Sequence, residues 1–214
     1  DHRDLHSFPT RRSSDLSSLA SSSPTPGGGT AAAVALGQAA ALTCMVADLT
    51  IGKEKWQEGW GIADEAQNSA IPIMSRSGEL ADEDSDSFDA VMACFKMPKT
   101  TDDEKETRRN CIRQSTLKAA EVPFETAKLG LSLLKHLPGL AEKGNGNAAS
   151  DVGVAALLAS AAVKGALFNV QINLSSLPEE MGVEMRASSP DILKEARILS
   201  RASMKSVNER LGLD

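Results

Sequence analysis

The stretch TAAAVALGQAAALTCMVADLTIG, residues 30–52, carries two stripes at once. Leu42, Met45, Val46 and Leu49 recur at i, i+3, i+4 and i+7, the period of an amphipathic helix. Ala33, Gly37, Ala40, Cys44 and Ala47 make a second stripe of small residues, over which another helix can pack closely. The rest of the chain fits this reading. Its 214 residues suffice for one domain with a sizeable core. Aromatic content is 3% and there is no Tyr, so Ala, Leu and Val must fill the interior. That composition favours closely packed helices over a sheet built on β-branched and aromatic residues.

Upstream of this helix, Ser23-Pro24-Thr25-Pro26-Gly27-Gly28-Gly29 is a loop by composition, and residues 16–23 read as a short helix before it. Downstream, 62–96 is a second helical region, with Pro72 and Gly78 as expected kinks. Met97-Pro98 ends it. Thr101-Asp102-Asp103-Glu104 is a capping box that opens a third helix running to about His136, bent near Pro123. Residues 138–149 read as a Gly/Asn loop, and Ser150 or Asp151 as the cap of a fourth helix reaching Leu174. Residues 178–190 read as irregular and 191–211 as a final amphipathic helix. The expected fold is all-α, an up-and-down bundle of long, partly kinked helices. Residues 31–51 and 152–174 are apolar enough to raise the question of a membrane. Both are rich in Ala, and both carry polar residues such as Gln38, Asp48, Lys164 and Asn169, so they read as central helices of a soluble bundle.

A net charge of -6 and a pI near 5.2 give no nucleic-acid footprint. Cys44, Cys94 and Cys111 are widely spaced, odd in number and without a CxxC. They read as small buried hydrophobes in a reducing cytoplasm rather than as a disulfide framework or a zinc site. Residues 1–16, DHRDLHSFPTRRSSDL, differ in character from the rest and resemble a translated sequencing adapter. Setting them aside removes His2 and His6 and leaves His136 alone, so neither a metal site nor a histidine-based triad is expected.

Three features can carry chemistry. The first is the acidic run Asp82-Glu83-Asp84-Ser85-Asp86. At about 100° per residue, Asp84 falls on the stripe of Ile73 and Leu80, continued by Phe88, Val91, Met92 and Phe95, while Asp82 and Asp86 fall opposite. One carboxyl of the cluster therefore points inward. Burial and like-charged neighbours would both raise its pKa, as a general acid at neutral pH requires. The second feature is Asn169 and Asn173, one turn apart on a face with Asp151, Ala155, Leu158, Ala162 and Gly165. They read either as inter-helix hydrogen-bonding amides or as the lining of a pocket for a heteroaromatic ring. The third is Gly27-Gly28-Gly29 at a helix N-terminus, where free N–H groups attract anions or carbonyl oxygens. It is neither a Walker A motif nor a dinucleotide fingerprint. Among the cations near helix ends, Lys96 and Lys99 flank the Met97-Pro98 turn and are placed to meet a polyanionic tail.

Four segments, taken together and in order, resemble the formiminotetrahydrofolate cyclodeaminase and methenyltetrahydrofolate cyclohydrolase family. They are SPTPGGGTAAAVALGQAAALTCMVADLTIGKEKW, LADEDSDSFDAVMACFKMPKTTDDEK, GNGNAASDVGVAALLASAA and FNVQINLSSL. Trp56 stands where the family more often has Tyr or Phe. The resemblance covers residues 17–214 as one cyclodeaminase-like helical domain. It implies a cytoplasmic, all-helical homodimer with no permanently bound cofactor, acting on a tetrahydrofolate derivative, with no nucleic-acid or membrane partner. It assigns Asp84 as proton donor and Gly27, Gly28, Gly29, Lys96, Asn145, Asp151, Asn169 and Asn173 to the folate site. The expected reaction is cyclodeamination of 5-formiminotetrahydrofolate to 5,10-methenyltetrahydrofolate and ammonia. The alternatives are hydrolysis of the methenyl compound to 10-formyltetrahydrofolate, and a non-catalytic helical interaction module.

Overall fold

The computed structural model describes residues 16–213, and among these all regular structure is helical. The long helices are α1 (Gly28–Thr50), α2 (Trp60–Phe95), α3 (Asp102–Leu134), α5 (Ala149–Ser175) and α6 (Val183–Leu211), with a short α4 (Leu137–Lys143) between α3 and α5. Short 3-10 segments, Glu54–Gly59 and Gly146–Ala148, join α1 to α2 and lead into α5. The N-terminal leader, apart from Leu16, lies outside the described residues. Helical backbone at 16–19 gives way to bends over 21–26.

Contact registers show the direction of each helix. Going up α1, Gly29 meets Asp84, Gly37 meets Ser77 and Asp48 accepts from Gln67, so α2 runs antiparallel to α1. Gly28 lies against Asn169 and Gly165 against Ala32, so α5 is antiparallel to α1 as well. Arg76 pairs with Glu125 across α2 and α3, while Asn173 and Val163 meet Ala119 and Gly130 across α5 and α3. The four helices α1, α2, α3 and α5 therefore close an up-and-down ring, and α6 packs on the outer side of α5. Ala is the main filler: Ala39, Ala40, Ala66, Ala120, Ala127, Ala155, Ala159 and Ala162 are fully buried, with Leu36, Leu80, Leu133 and Leu134 among them. Small side chains at the contacts bring the axes close, which is how a chain poor in aromatics reaches interior packing density. By length and composition, α1 and the segment Gly146–Ser175 could cross a membrane. In this fold both are packed into the bundle.

Some element boundaries differ from the sequence reading. Residues 137–143 form a helix where a loop was expected. Pro138 sits in its first turn, where its missing N–H costs nothing, and Leu137, Leu140 and Ala141 bury the inner face. The fourth helix is capped by neither Ser150 nor Asp151: Ala148 is its N-cap, and Asp151 lies in the first turn. The last helix begins at Val183 and runs through Pro190. Arg186 holds that early segment down. It donates through Nε to the Met181 carbonyl (3.1 Å) and through Nη2 to those of Leu174 (2.6 Å) and Leu177 (3.1 Å). These contacts, with buried Met185, outweigh the hydrogen bond that Pro190 removes. The cysteines also differ from expectation. Cys94 and Cys111 are joined as a disulfide, with Cα atoms 5.7 Å apart, and only Cys44 of the three is unpaired. Their separation in sequence hides a proximity that the α2–α3 hairpin creates.

Candidate functional site

The glycine loop ends where α1 begins, and it ends against Asp84. With no side chain at Gly29, α2 comes close enough that a Cβ there would overlap the Asp84 carboxylate. The first amides of α1 have no partners within the helix. Two groups of Thr30 use this proximity: its backbone N–H and its hydroxyl both donate to the Asp84 carboxylate, the hydroxyl at 3.0 Å. The same hydroxyl lies 3.3 Å from Ser85 Oγ and accepts from the Gly27 N–H at 3.4 Å, so it holds loop and acid in one register.

The half-buried Asp84 lies on the line of a buried stripe of α2, made of Ile73, Ser77, Leu80 and Ser87. Asp82 and Asp86 are exposed, as helical geometry predicts. Burial pushes the Asp84 carboxyl above the ordinary carboxylate range, and the hydrogen bonds from Thr30 pull it part of the way back. Like-charge repulsion, expected from the acidic run, is not among the causes. Asp82 and Asp86 point to solvent, and Glu83 is held by Arg76 through Nη1 (2.5 Å) and Nη2 (2.9 Å). Arg76 also grips Glu125 of α3 at 2.8 Å, and this pairing holds the Glu125 carboxyl below its usual range. The acidic run thus splits into an inward acid, a neutralised neighbour and two solvated charges. The continuation of the apolar stripe also differs from expectation. Phe88, Met92 and Phe95 are exposed, because this end of α2 projects past the body of the bundle. Phe88, Val91 and Phe95 there form one wall of a cleft.

That cleft has a volume of about 550 Å³. Gly27, Gly28, Gly29 and Asp84 line one side. Asn169, Ile172 and Asn173 of α5 line another, and Ile112, Arg113, Thr116 and Ala119 of α3 line a third. Asn169 Nδ2 donates to the Gly165 carbonyl at 3.0 Å and Asn173 Nδ2 to the Ala119 carbonyl at 2.9 Å. Each amide is thereby fixed in orientation. Asn173 makes the inter-helix bond that one sequence reading offered, and both amides line the pocket that the other offered. The cleft is apolar on its walls, with a few convergent polar groups, which is the usual make-up of a small-molecule site. A groove of about 540 Å³ between α5 and α6 is lined by Lys164, Phe168, Gln171 and Arg186 but by no carboxylate, histidine or thiol. Among the described residues no group of three or more His, Cys, Asp or Glu side chains is arranged to hold a metal ion.

Three candidates lie elsewhere. Lys96 is the exposed C-cap of α2 and does not line the cleft. Asn145 is at the other end of the bundle, where it donates to the Leu49 carbonyl at 2.8 Å and accepts from the Asn147 N–H at 3.0 Å. Asp151, in the first turn of α5, is 22 residues from Asn173 on the same helix, roughly 33 Å along the axis at 1.5 Å per residue. Conversely, two residues the sequence reading did not single out serve the site: Thr30, which holds the acid, and Arg113, which lines the cleft. Thr30 could have been found as a hydroxyl at the third helical position after a glycine loop. Arg113 lies one turn after Arg109, and it joins the cleft to a shallow trough lined by Lys99, Lys105, Arg108 and Arg109.

Comparison with known proteins gives this arrangement its relatives. The family described as Formiminotransferase-cyclodeaminase matches residues 14–189. A methenyltetrahydrofolate cyclohydrolase from Methylorubrum extorquens is 36% identical over 199 residues, spanning 92% of this chain and 95% of that protein. A formimidoyltransferase-cyclodeaminase from Gallus gallus is 36% identical over 162 residues, spanning 74% of this chain but 29% of that longer protein. Among solved structures, the crystal structure of formiminotetrahydrofolate cyclodeaminase from Thermotoga maritima superposes with a TM-score of 0.73 at 26% identity, covering 99% of this chain and 96% of the other.

Proposed function

Because the chain belongs to the formiminotransferase-cyclodeaminase family through its cyclodeaminase domain, we propose that it is a folate one-carbon enzyme with Asp84 as its proton donor. The observation that carries this reading is the half-buried Asp84 carboxyl, raised by burial and fixed by Thr30 at the edge of an amide-lined cleft. In the cyclodeaminase reaction, N10 of 5-formiminotetrahydrofolate attacks the formimino carbon. The amino nitrogen departs as ammonia, and 5,10-methenyltetrahydrofolate remains. An amine is a poor leaving group until it is protonated, and a carboxyl whose pKa burial raises is suited to supply that proton. Asn169 and Asn173 offer amide groups to the pterin ring. The Gly27–Gly29 backbone lets the ring approach the N-terminus of α1. The glutamyl carboxylates point past Arg113 towards Lys99, Lys105, Arg108 and Arg109.

A second reading has one specific observation in its favour. The Methylorubrum extorquens relative, matched over 95% of its length, is a cyclohydrolase. In that reaction water attacks the methenyl carbon to give 10-formyltetrahydrofolate, with Asp84 moving the proton in the same cleft. Offering each substrate separately to the purified chain distinguishes the two. Methenyl absorbance appearing from 5-formiminotetrahydrofolate supports deamination; faster loss of methenyl absorbance supports hydrolysis. In either case Asp84→Asn is expected to lower turnover by roughly 10²–10⁴-fold while folate still binds. Turnover within about threefold of the parent would sink the Asp84 assignment and favour a non-catalytic module. We also propose a cytoplasmic homodimer that uses no resident cofactor and engages neither nucleic acid nor membrane. Its supports are the family resemblance and exposed apolar residues on two helices packed together, Val154, Leu157, Phe168 and Ile172 of α5 and Val34, Met45 and Leu49 of α1.

A further inference from the structure

The outer wall of the cleft is lightly held. Within residues 88–96, the last turns of α2 and its C-cap, only Cys94 is buried, and Phe88, Ala90, Met92, Ala93 and Phe95 face solvent. Three polar or covalent ties fix this segment to α3: the Cys94–Cys111 disulfide, the contact of Cys94 Sγ with Ser115 Oγ, and Arg108, which donates to the Phe95 carbonyl at 3.1 and 3.3 Å. The disulfide stands beside the residues that shape the cleft. Cys94 is flanked by Val91 one turn back and Phe95 next in sequence, and Cys111 precedes Ile112 and Arg113, all four of which line the cleft. The reduced state also has a place in the fold, because Cys94 Sγ lies 3.3 Å from Ser115 Oγ, a ready partner for a thiol. Cys44 is remote from this wall. Burial, and then Asp48 beside it, push its thiol up, which leaves it a poor competitor in thiol exchange.

We propose that the Cys94–Cys111 pair is a redox-sensitive positioning device for the substrate cleft. As a disulfide it pins the last turns of α2 against α3 and keeps Val91 and Phe95 in place over the site; as two thiols it releases them. A wall ordered before binding removes an entropic cost that a mobile wall adds to binding, so the oxidised form binds the folate more tightly. The chemistry is thiol–disulfide exchange with a small disulfide such as oxidised glutathione. The Cys111 thiolate, the more open of the two, attacks one sulfur and expels a glutathione thiolate. The Cys94 thiolate then attacks Cys111 Sγ and expels the second. The protein loses two electrons and two protons, and one glutathione disulfide becomes two glutathione thiols.

The substrate effect rests on the folate reading above, so the test has an arm independent of it. The protein is treated with oxidised glutathione or with dithiothreitol, and its thiols are titrated after denaturation. One free thiol is expected in the oxidised form and all three in the reduced form. Amide hydrogen exchange is then measured without substrate. Faster exchange over 88–96 on reduction is expected, and equal protection in the two forms overturns the proposal. In the kinetic arm, reduction is expected to raise KM roughly 2- to 10-fold with kcat unchanged, and reoxidation to restore it. Cys94→Ser/Cys111→Ser should show the reduced-form KM in both buffers, and Cys44→Ser should respond like the parent. A KM indifferent to reduction, a double variant that still responds, or three free thiols after oxidation each overturn the assignment. If neither folate is turned over, the functional reading fails while the exchange arm still decides the latch. If the double variant does not fold, the parent in its two redox states decides.

Discussion

A carboxyl that burial holds above its ordinary pKa makes the folded chain bind a proton more tightly than the unfolded chain does, and Asp84 is in that position. The sign follows from linkage. Stability contributed by protonated Asp84 is fully present below the unfolded carboxylate pKa of about 3.9, and it is lost as pH rises through the higher folded value. Asp84→Asn cannot ionise, so the variant avoids this loss. The stability of the parent relative to Asp84→Asn should therefore fall as pH rises from about 4 and level off once Asp84 is ionised. Urea unfolding of both proteins at a series of pH values measures this. Parallel curves, or a parent that gains on the variant, would count against a buried acid at this position. The inward direction of Asp84 was legible in the sequence, because 100° steps from Ile73 and Leu80 lead to it. Its hydrogen bonds were not, since they come from Thr30 on another helix, in a register no linear pattern records.

At the scale of the helix, α1 meets α2 through glycines, and two glycines of the fold make a direct comparison. A Cβ on Gly29 would overlap the Asp84 carboxylate, whereas a Cβ on Gly78 of α2 would meet nothing within 4 Å. Gly29→Ala should displace the acid from Thr30 and lower kcat/KM on the order of 10²-fold, with helical content by circular dichroism retained. Gly78→Ala should leave turnover alone and stabilise by about 0.5–1 kcal/mol, since Ala is the better residue inside a helix. Parental activity in Gly29→Ala would show that the close approach is not needed. Helices with strong periodicity, such as 30–52 and 62–96, could be read almost to their ends. Those at 137–143 and 183–190 could not, because tertiary contacts override the local signals: buried Leu137 and Leu140 in one, and the Arg186 guanidinium on four carbonyls in the other. The same limit separates Gly27, Gly28, Gly29, Asn169 and Asn173, which share the cleft, from Asn145 and Asp151. A motif states that residues occur together in sequence, and an up-and-down ring decides which end of the bundle each one reaches.

For the whole molecule, the exposed faces of α1 and α5 carry apolar side chains over most of their length, with Val154, Leu157, Phe168 and Ile172 on α5 alone. Exposed apolar side chains on two helices that pack together suit burial against a second copy of the same surface. The chain should run as a dimer in size-exclusion chromatography with light scattering, and Leu157→Glu should shift it towards monomer. A parent that is monomeric at micromolar concentration would remove the dimer from the proposal. The bundle also has a distribution of chromophores with an experimental consequence. The chain has two Trp and no Tyr. Trp56 and Trp60 sit at the link from α1 to α2, with Arg210 over the Trp56 ring at 5.1 Å. That link is one full helix away from the glycine loop, about 33 Å for the 23 residues of α1. Intrinsic emission therefore reports on the end of the molecule remote from Asp84. A change in emission colour on adding substrate would be a signal transmitted along the bundle, and its absence would say nothing about occupancy of the cleft.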